Sequence, residues 1–294
     1  MHWQKIALVG VGLLGGSVGL AVRQRRLAAQ VVGYVRRQAS IDECVKAGAV
    51  DSATMVLAQA VENADLVILC TPIGQMLELT KQMLPSLKRG AVVTDVGSVK
   101  GQPAQELTTL VANAGACFIG SHPMAGAEKM GVSAARADLF QNAVCVVSPT
   151  PKSPAAEVKK LEEFWKELGG KPLRLKPDLH DELVSRSSHL PHVVAAELAN
   201  YVLSPALPKH QAQLCATGFR DMTRIASGSP EMWRDISIAN SKHLSQVLGV
   251  FIEDLQEFQL ALNNGDVKAI EEFFVKAKQR RDEWCAQGAS PSPE

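Results

Sequence analysis

The run Gly120-Ser121-His122-Pro123-Met124-Ala125-Gly126 fixes one imidazole between small and rigid residues, just after an apolar stretch that reads as a buried strand. Small residues let a substrate approach the backbone, and Pro123 restricts the local chain. Imidazole is the side chain best suited to proton transfer near neutral pH. A lone histidine in such a loop also fits a bland role, capping a helix, so its surroundings must decide.

Two further clusters carry chemistry. In Ser187-Ser188-His189-Leu190-Pro191-His192, two imidazoles three positions apart share one face of a predicted helix. Pro191 should bend that helix and leave a backbone carbonyl without its donor. A metal would need a third ligand, which the neighbouring sequence lacks, so no metal site is expected and anion or carbonyl recognition fits better. In Gly218-Phe219-Arg220-Asp221-Met222-Thr223-Arg224, two guanidiniums stand one helical turn apart beside a carboxylate. That set suits either a surface ion-pair cluster or an anion site.

The elements that must position these groups begin at the N-terminus. Residues 5–9 read as a buried strand, Gly10-Val11-Gly12-Leu13-Leu14-Gly15 as a turn, residues 14–26 as a helix and residues 31–34 as a second strand. Gly10 permits the tight turn, Gly12 lets a pyrophosphate approach the backbone, and Gly15 lets helix and strand pack closely. Leu13 and Leu14 open the helix whose N-terminus faces the anion. The uncharged stretch 6–22 superficially resembles a secretory signal, but its five glycines argue for strand, turn and helix. After the second strand, where NAD sites usually place a carboxylate, stand Arg36 and Arg37. Guanidiniums bind a ribose 2′-phosphate bidentately, so NADP is favoured over NAD; the alternative is two ordinary solvated charges.

Further strands are expected at 64–70, 91–94, 116–119 and 144–147, alternating with helices such as 73–84 and 103–114. This predicts an α/β, Rossmann-type doubly wound sheet whose ligand crevice lies at the strand ends. Three loops reach that crevice: the one with Thr71 and Pro72, placed at the cofactor, Asp95-Val96-Gly97-Ser98-Val99-Lys100, and the His122 run. A proline-rich break follows at 148–154, then a helix at 155–168 and an edge strand at 172–175. Beyond residue 177 the pattern turns all-helical, at 179–203, 209–225, 231–262 and 267–285. The expected domains are therefore 1–176 for the dinucleotide and 177–287 for substrate and dimerisation, with 288–294 a loose tail. The wide apolar stripe of Trp233, Ile236, Leu244, Val247, Leu248, Phe251, Leu255 and Phe258 predicts a homodimer built through these helices.

Composition narrows the class. A net charge of +1, 5% aromatics and no basic run exclude a nucleic-acid signature, and no membrane segment is expected. Six dispersed cysteines without a Cys-x-x-Cys pair fit reduced, mostly buried thiols in the cytoplasm. Cys215, near charged residues, lacks a neighbouring histidine to activate it.

In their order along the chain, the glycine turn, the Asp95 to Lys100 loop, the His122 run, Ser188-His189-Leu190-Pro191-His192 and the Gly218 to Arg224 run resemble the prephenate and arogenate dehydrogenases of tyrosine biosynthesis. That resemblance implies oxidative decarboxylation of a cyclohexadiene to a phenol. It implies that His122 draws off the ring hydroxyl proton as hydride leaves, that Ser98 orients the same hydroxyl, and that Arg224 grips a substrate carboxylate with His189 and His192 lining the pocket. Glu128 stands where some relatives pair a carboxylate with the arginine and gate entry. Prephenate is the expected substrate, because His192 suits a keto group as a donor, with arogenate or dual use the alternative. Without a regulatory domain in the sequence, any feedback by tyrosine is expected to act at the active site itself. Two other classes compete: a β-hydroxyacid dehydrogenase or imine reductase, using Lys100 as base, and a non-catalytic dinucleotide sensor.

Overall fold

The computed structural model describes residues 3–126, 130–208 and 210–286. The chain divides into two compact units, residues 1–244 and residues 245–294.

The first unit is built on six parallel strands: β1 (Trp3–Val9), β2 (Ala28–Tyr34), β3 (Ser52–Thr54), β4 (Leu66–Leu69), β5 (Val92–Asp95) and β6 (Cys117–Phe118), in the order β3-β2-β1-β4-β5-β6. Helices α1 (Leu13–Gln24), α2 (Gln38–Lys46), α3 (Leu57–Val61), α4 (Ile73–Met83) and α5 (Gly101–Asn113) connect them. Side chains alternate across a strand, and the core follows that period. Ile6, Leu8, Leu66 and Ile68 enter one apolar cluster; Ala7, Val9, Val67 and Leu69 enter the other. With both faces covered, β4 and β5 are buried along their whole length, which explains the unbroken apolar run of β4. The strand order switches direction between β1 and β4, so the turns after these two strands form the crevice where such sheets bind ligands.

The His122 run departs from expectation. Only Ile119 separates β6 from a further strand, β7 (Gly120–Pro123), which starts a second sheet: β7 runs antiparallel to β8 (Val144–Ser148), and β8 parallel to β9 (Lys171–Arg174). Helix α6 (Ala155–Glu167) links β8 to β9. His122 is therefore a strand residue in a fully buried run rather than a loop residue. Its neighbours are small because β7 packs against β5: Ser121 Oγ donates to the Asp95 carbonyl at 2.8 Å and accepts from Thr94 Oγ1 at 2.7 Å.

Among the described residues no strand follows β9. The predicted helix 179–203 is three pieces: α7 (Pro177–Val184), a π turn at Ser185–His189, and α8 (Leu190–Val202). Pro191 supplies no N–H, so the helix widens just before it. The predicted helix 209–225 is also interrupted: a 3-10 turn at Gln211–Leu214, α9 (Thr217–Thr223) and a second 3-10 turn at Arg224–Ser227; Lys209 lies outside the described residues. The helix expected over 231–262 breaks at Asn240 into α10 (Pro230–Ala239) and α11 (Ser241–Asn263). Asn240 turns its amide inward, onto the Asp181 carbonyl at 2.9 Å.

In the second unit, the rest of α11 and α12 (Val267–Ala286) form a helical pair with Phe258 against Phe273 at 4.5 Å between centroids. Leu260, Phe274 and Trp284 are exposed there. All six cysteines are free: Cys44 and Cys145 are buried, Cys70, Cys117 and Cys215 partly so, and Cys285 exposed, which is less burial than composition suggested.

Candidate active site

The nucleotide end of the crevice is shaped by backbone. Gly10 adopts φ +99°, and a Cβ on Gly15 would lie 2.1 Å from the Gly10 carbonyl, so neither position accepts a side chain. Gly12, the N-cap of α1, has open space where a Cβ would stand and no side-chain acceptor for the helix amides. The N–H groups around Leu13 and Leu14 are thus left for an anion. Across the turn Thr71 Oγ1 is buried without a hydrogen-bond partner, and the Thr71 methyl would be 3.0 Å from a Cβ on Gly10. Pro72 is the N-cap of α4. These features fit a dinucleotide, with the pyrophosphate on α1 and Thr71 at its edge. Arg36 and Arg37 are exposed after β2, Arg37 being the N-cap of α2, and α2 has no acidic residue in its first turn. Arg37 lies 4.0 Å from Glu43, and both side chains are exposed.

At the other end, Asp95 and Lys100 clamp β7 in place. The Lys100 ammonium pairs with the Asp95 carboxylate and donates to the Ser121 carbonyl at 2.7 Å, while Asp95 also accepts from the Ser121 and Gly97 amides. Burial pulls the Lys100 ammonium below its ordinary pKa, with Asp95 and Asp181 opposing that shift. Lys100 is therefore committed to structure and 1% exposed. That removes it as the free base a β-hydroxyacid dehydrogenase would need.

His122 projects from the opposite face of β7 to Ser121. Its Nδ1 lies 2.9 Å from His180 Nε2, and His180 Nδ1 lies 2.7 Å from Asp181 Oδ1. Burial, reinforced by His180, Lys100 and His189, holds the His122 pKa well below its usual value. Neutral imidazole is the form that can take a proton. Asp181 also accepts the Lys100 and Gly101 amides, capping α5 from α7.

The cluster continues through Asn240, whose Nδ2 also donates to His189 Nδ1 at 3.1 Å. His189 then carries its proton on Nε2. That atom is buried without a hydrogen-bond partner; the Ser98 backbone favours the protonated ring without reaching bonding geometry. Burial, the dominant cause, pulls His189 to about 4. Trp233 of α10 meets His189 edge-on at 6.1 Å and stacks on His192 at 3.6 Å. His192 donates from Nδ1 to the Ser188 carbonyl at 3.0 Å. Its pKa is lowered by burial, with Arg224 adding to the shift.

His122, His189, His192 and Arg224 thus fall into one connected cluster, with Ser98 beside His189. The neutral His192 ring presents an Nε2 lone pair rather than the donor expected from sequence, because Ser188 has taken the N–H. Glu128 lies outside the described residues. His180, Asp181, Asn240 and Trp233 were not singled out as site residues from sequence, although the adjacent His180-Asp181 pair behind Pro177 was a visible signal. Among the described residues no three metal-ligating side chains converge, and no helix is long and apolar enough to cross a membrane.

Residues 18–173 match the nucleotide-binding domain of prephenate dehydrogenase and residues 176–276 its dimerization domain. The chain is 33% identical to the prephenate dehydrogenase of Bacillus subtilis, over 94% of this chain and 75% of that protein. It is 32% identical to the cyclohexadienyl dehydrogenase of Zymomonas mobilis, over 95% of each. Among solved structures it resembles prephenate dehydrogenase from A. aeolicus in complex with hydroxyphenyl propionate and NAD+, with a TM-score of 0.90 and 30% identity over 96% of this chain and 99% of the other.

Proposed function

The chain belongs to the prephenate dehydrogenase family, and on that footing we propose that it oxidatively decarboxylates prephenate to 4-hydroxyphenylpyruvate with NADP as the preferred dinucleotide. The observation that carries the reading is the buried, neutral His122, whose Nε2 has no hydrogen bond among the described residues while its Nδ1 is engaged. The bound dinucleotide would supply the hydride acceptor.

His122 accepts the ring hydroxyl proton as the carbinol C–H pair of electrons leaves as hydride. The C–C bond to the ring carboxylate then breaks, carbon dioxide departs, and its bonding electrons close the aromatic ring. The phenolate oxygen takes a proton back from His122, so no proton is gained or lost overall. Ser98 orients the hydroxyl. Arg224 pairs with a substrate carboxylate, and His189 offers its Nε2–H to a substrate oxygen. General-base assistance of this kind contributes about 10²- to 10⁴-fold.

Two finer points follow from the same residues. Arg36 and Arg37 at the start of α2 support a 2′-phosphate, hence NADP over NAD. The Nε2 lone pair of neutral His192 favours a second reading, use of arogenate, because an ammonium can donate to it. Dual use follows if both fit. The exposed apolar side chains of α11 and α12 support a homodimer, and six free thiols suit the reducing cytoplasm.

The test is a four-way assay of prephenate or arogenate with NAD or NADP, following the reduced nicotinamide. NADP should give a higher kcat/KM than NAD with either acid, and the ratio of prephenate to arogenate turnover decides between the two substrate readings. Tight NADPH binding without turnover of either acid would instead make the chain a dinucleotide sensor.

A further inference from the structure

We propose that His180 and Asp181 are positioning residues that hold His122 in the tautomer protonated at Nδ1, so that the Nε2 lone pair meets the substrate hydroxyl. The inference rests on His122 being the proton acceptor described above.

The direction of each hydrogen bond is fixed from one end. Asp181 is 3% exposed and receives the Lys100 amide, the Gly101 amide and His180 Nδ1, each at 2.7 Å. Two of these partners are obligatory donors, so the carboxylate acts as an acceptor and His180 Nδ1 carries a proton. A neutral ring has one N–H, which leaves His180 Nε2 as a lone pair. The 2.9 Å contact then requires His122 to donate from Nδ1. Among the described residues no other group bonds to that nitrogen. Among the described residues, the charged and titratable groups around His122 are Lys100 ahead of α5, His189 in the π turn and His180 on α7, with Asp95 behind Lys100 and Asp181 behind His180. Gly101 secures the anchor, since a Cβ there would sit 2.8 Å from Asp181 Oδ2. Once His122 takes the proton, its new charge faces a buried carboxylate through a single intervening ring. The wrong tautomer would point an N–H at the hydroxyl and could not accept its proton.

The ¹⁵N spectrum of histidine-labelled protein reads the tautomer directly, with His122 assigned from the signals lost in His122→Asn. A neutral ring protonated at Nδ1 is expected; protonation at Nε2 overturns the proposal. In kinetics, His180→Phe fills the space without an acceptor and should lower kcat about 10²-fold, with KM and dinucleotide Kd within about twofold. His180→Gln, whose Oε1 can replace the acceptor nitrogen, should recover about tenfold or more of that loss. Unchanged kcat in folded His180→Phe overturns the proposal, as does a loss that Gln does not relieve. Should His180→Phe fail to fold, the wild-type spectrum decides. Loss of turnover in His122→Asn with normal His180→Phe defeats only the relay, whereas normal turnover in His122→Asn defeats the reading beneath it.

Discussion

His192 lies flat on Trp233, with ring centroids 3.6 Å apart and planes inclined by 27°. The stack fixes a ring whose Nδ1 is already bonded to the Ser188 carbonyl, so His192 can turn only one edge to a ligand. Arg224 is close enough to add to the lowering of the same ring's pKa, which puts a guanidinium in its neighbourhood. An oriented ring with a cation nearby suits a carboxylate-bearing side chain.

Arg224→Ala should therefore raise KM for prephenate about 10- to 100-fold, the worth of a charge-assisted hydrogen bond, with a smaller effect on dinucleotide affinity. Steady-state kinetics at saturating cofactor check this. An unchanged KM would return Arg224 to the solvated surface.

Replacing Arg36-Arg37 with Asp-Asn should reduce kcat/KM for NADP by about 10²-fold while leaving NAD use level or improved. Equal losses with both cofactors would discredit the 2′-phosphate assignment.

Stability should fall as the solution is acidified below about pH 6.5. His189 titrates near 4 in the folded chain, and burial lowers His122 and His180 as well. Between the folded and unfolded pKa values the unfolded chain binds more protons, so the stabilisation is complete above 6.5 and is lost toward 4. Urea midpoints measured from pH 7.5 to 5 should decline, and a flat profile would contradict the buried neutral histidines.

Light scattering should return twice the 31.5 kDa chain mass. Phe274→Asp, on the exposed apolar side of α12, should shift the protein toward monomer at micromolar concentration. A monomer in the unsubstituted protein would remove the dimer reading.

Much of the nucleotide end was legible because its signals are local: glycine spacing, an apolar run and a helix start occupy adjacent residues. The His122 strand was misjudged because Gly120 to Pro123 has none of the branched apolar character of a strand. It becomes one through Ser121, which bonds to Thr94 and Asp95 twenty-six and more positions away. The clustered residues His189, His192 and Arg224, proposed to meet substrate, stood out in the sequence, but what holds the two histidines did not. Trp233 read as one member of an apolar stripe, and Asn240 carried no signal at all. Their roles arise where α10 ends against α7 and the π turn, a contact between segments some fifty residues apart.

The most direct measurement is the turnover of His122→Asn with prephenate and saturating dinucleotide, beside its dinucleotide Kd. A kcat lowered by about 10²- to 10⁴-fold with the Kd nearly unchanged is the predicted result. Turnover equal to that of the unsubstituted enzyme would remove His122 from the chemistry.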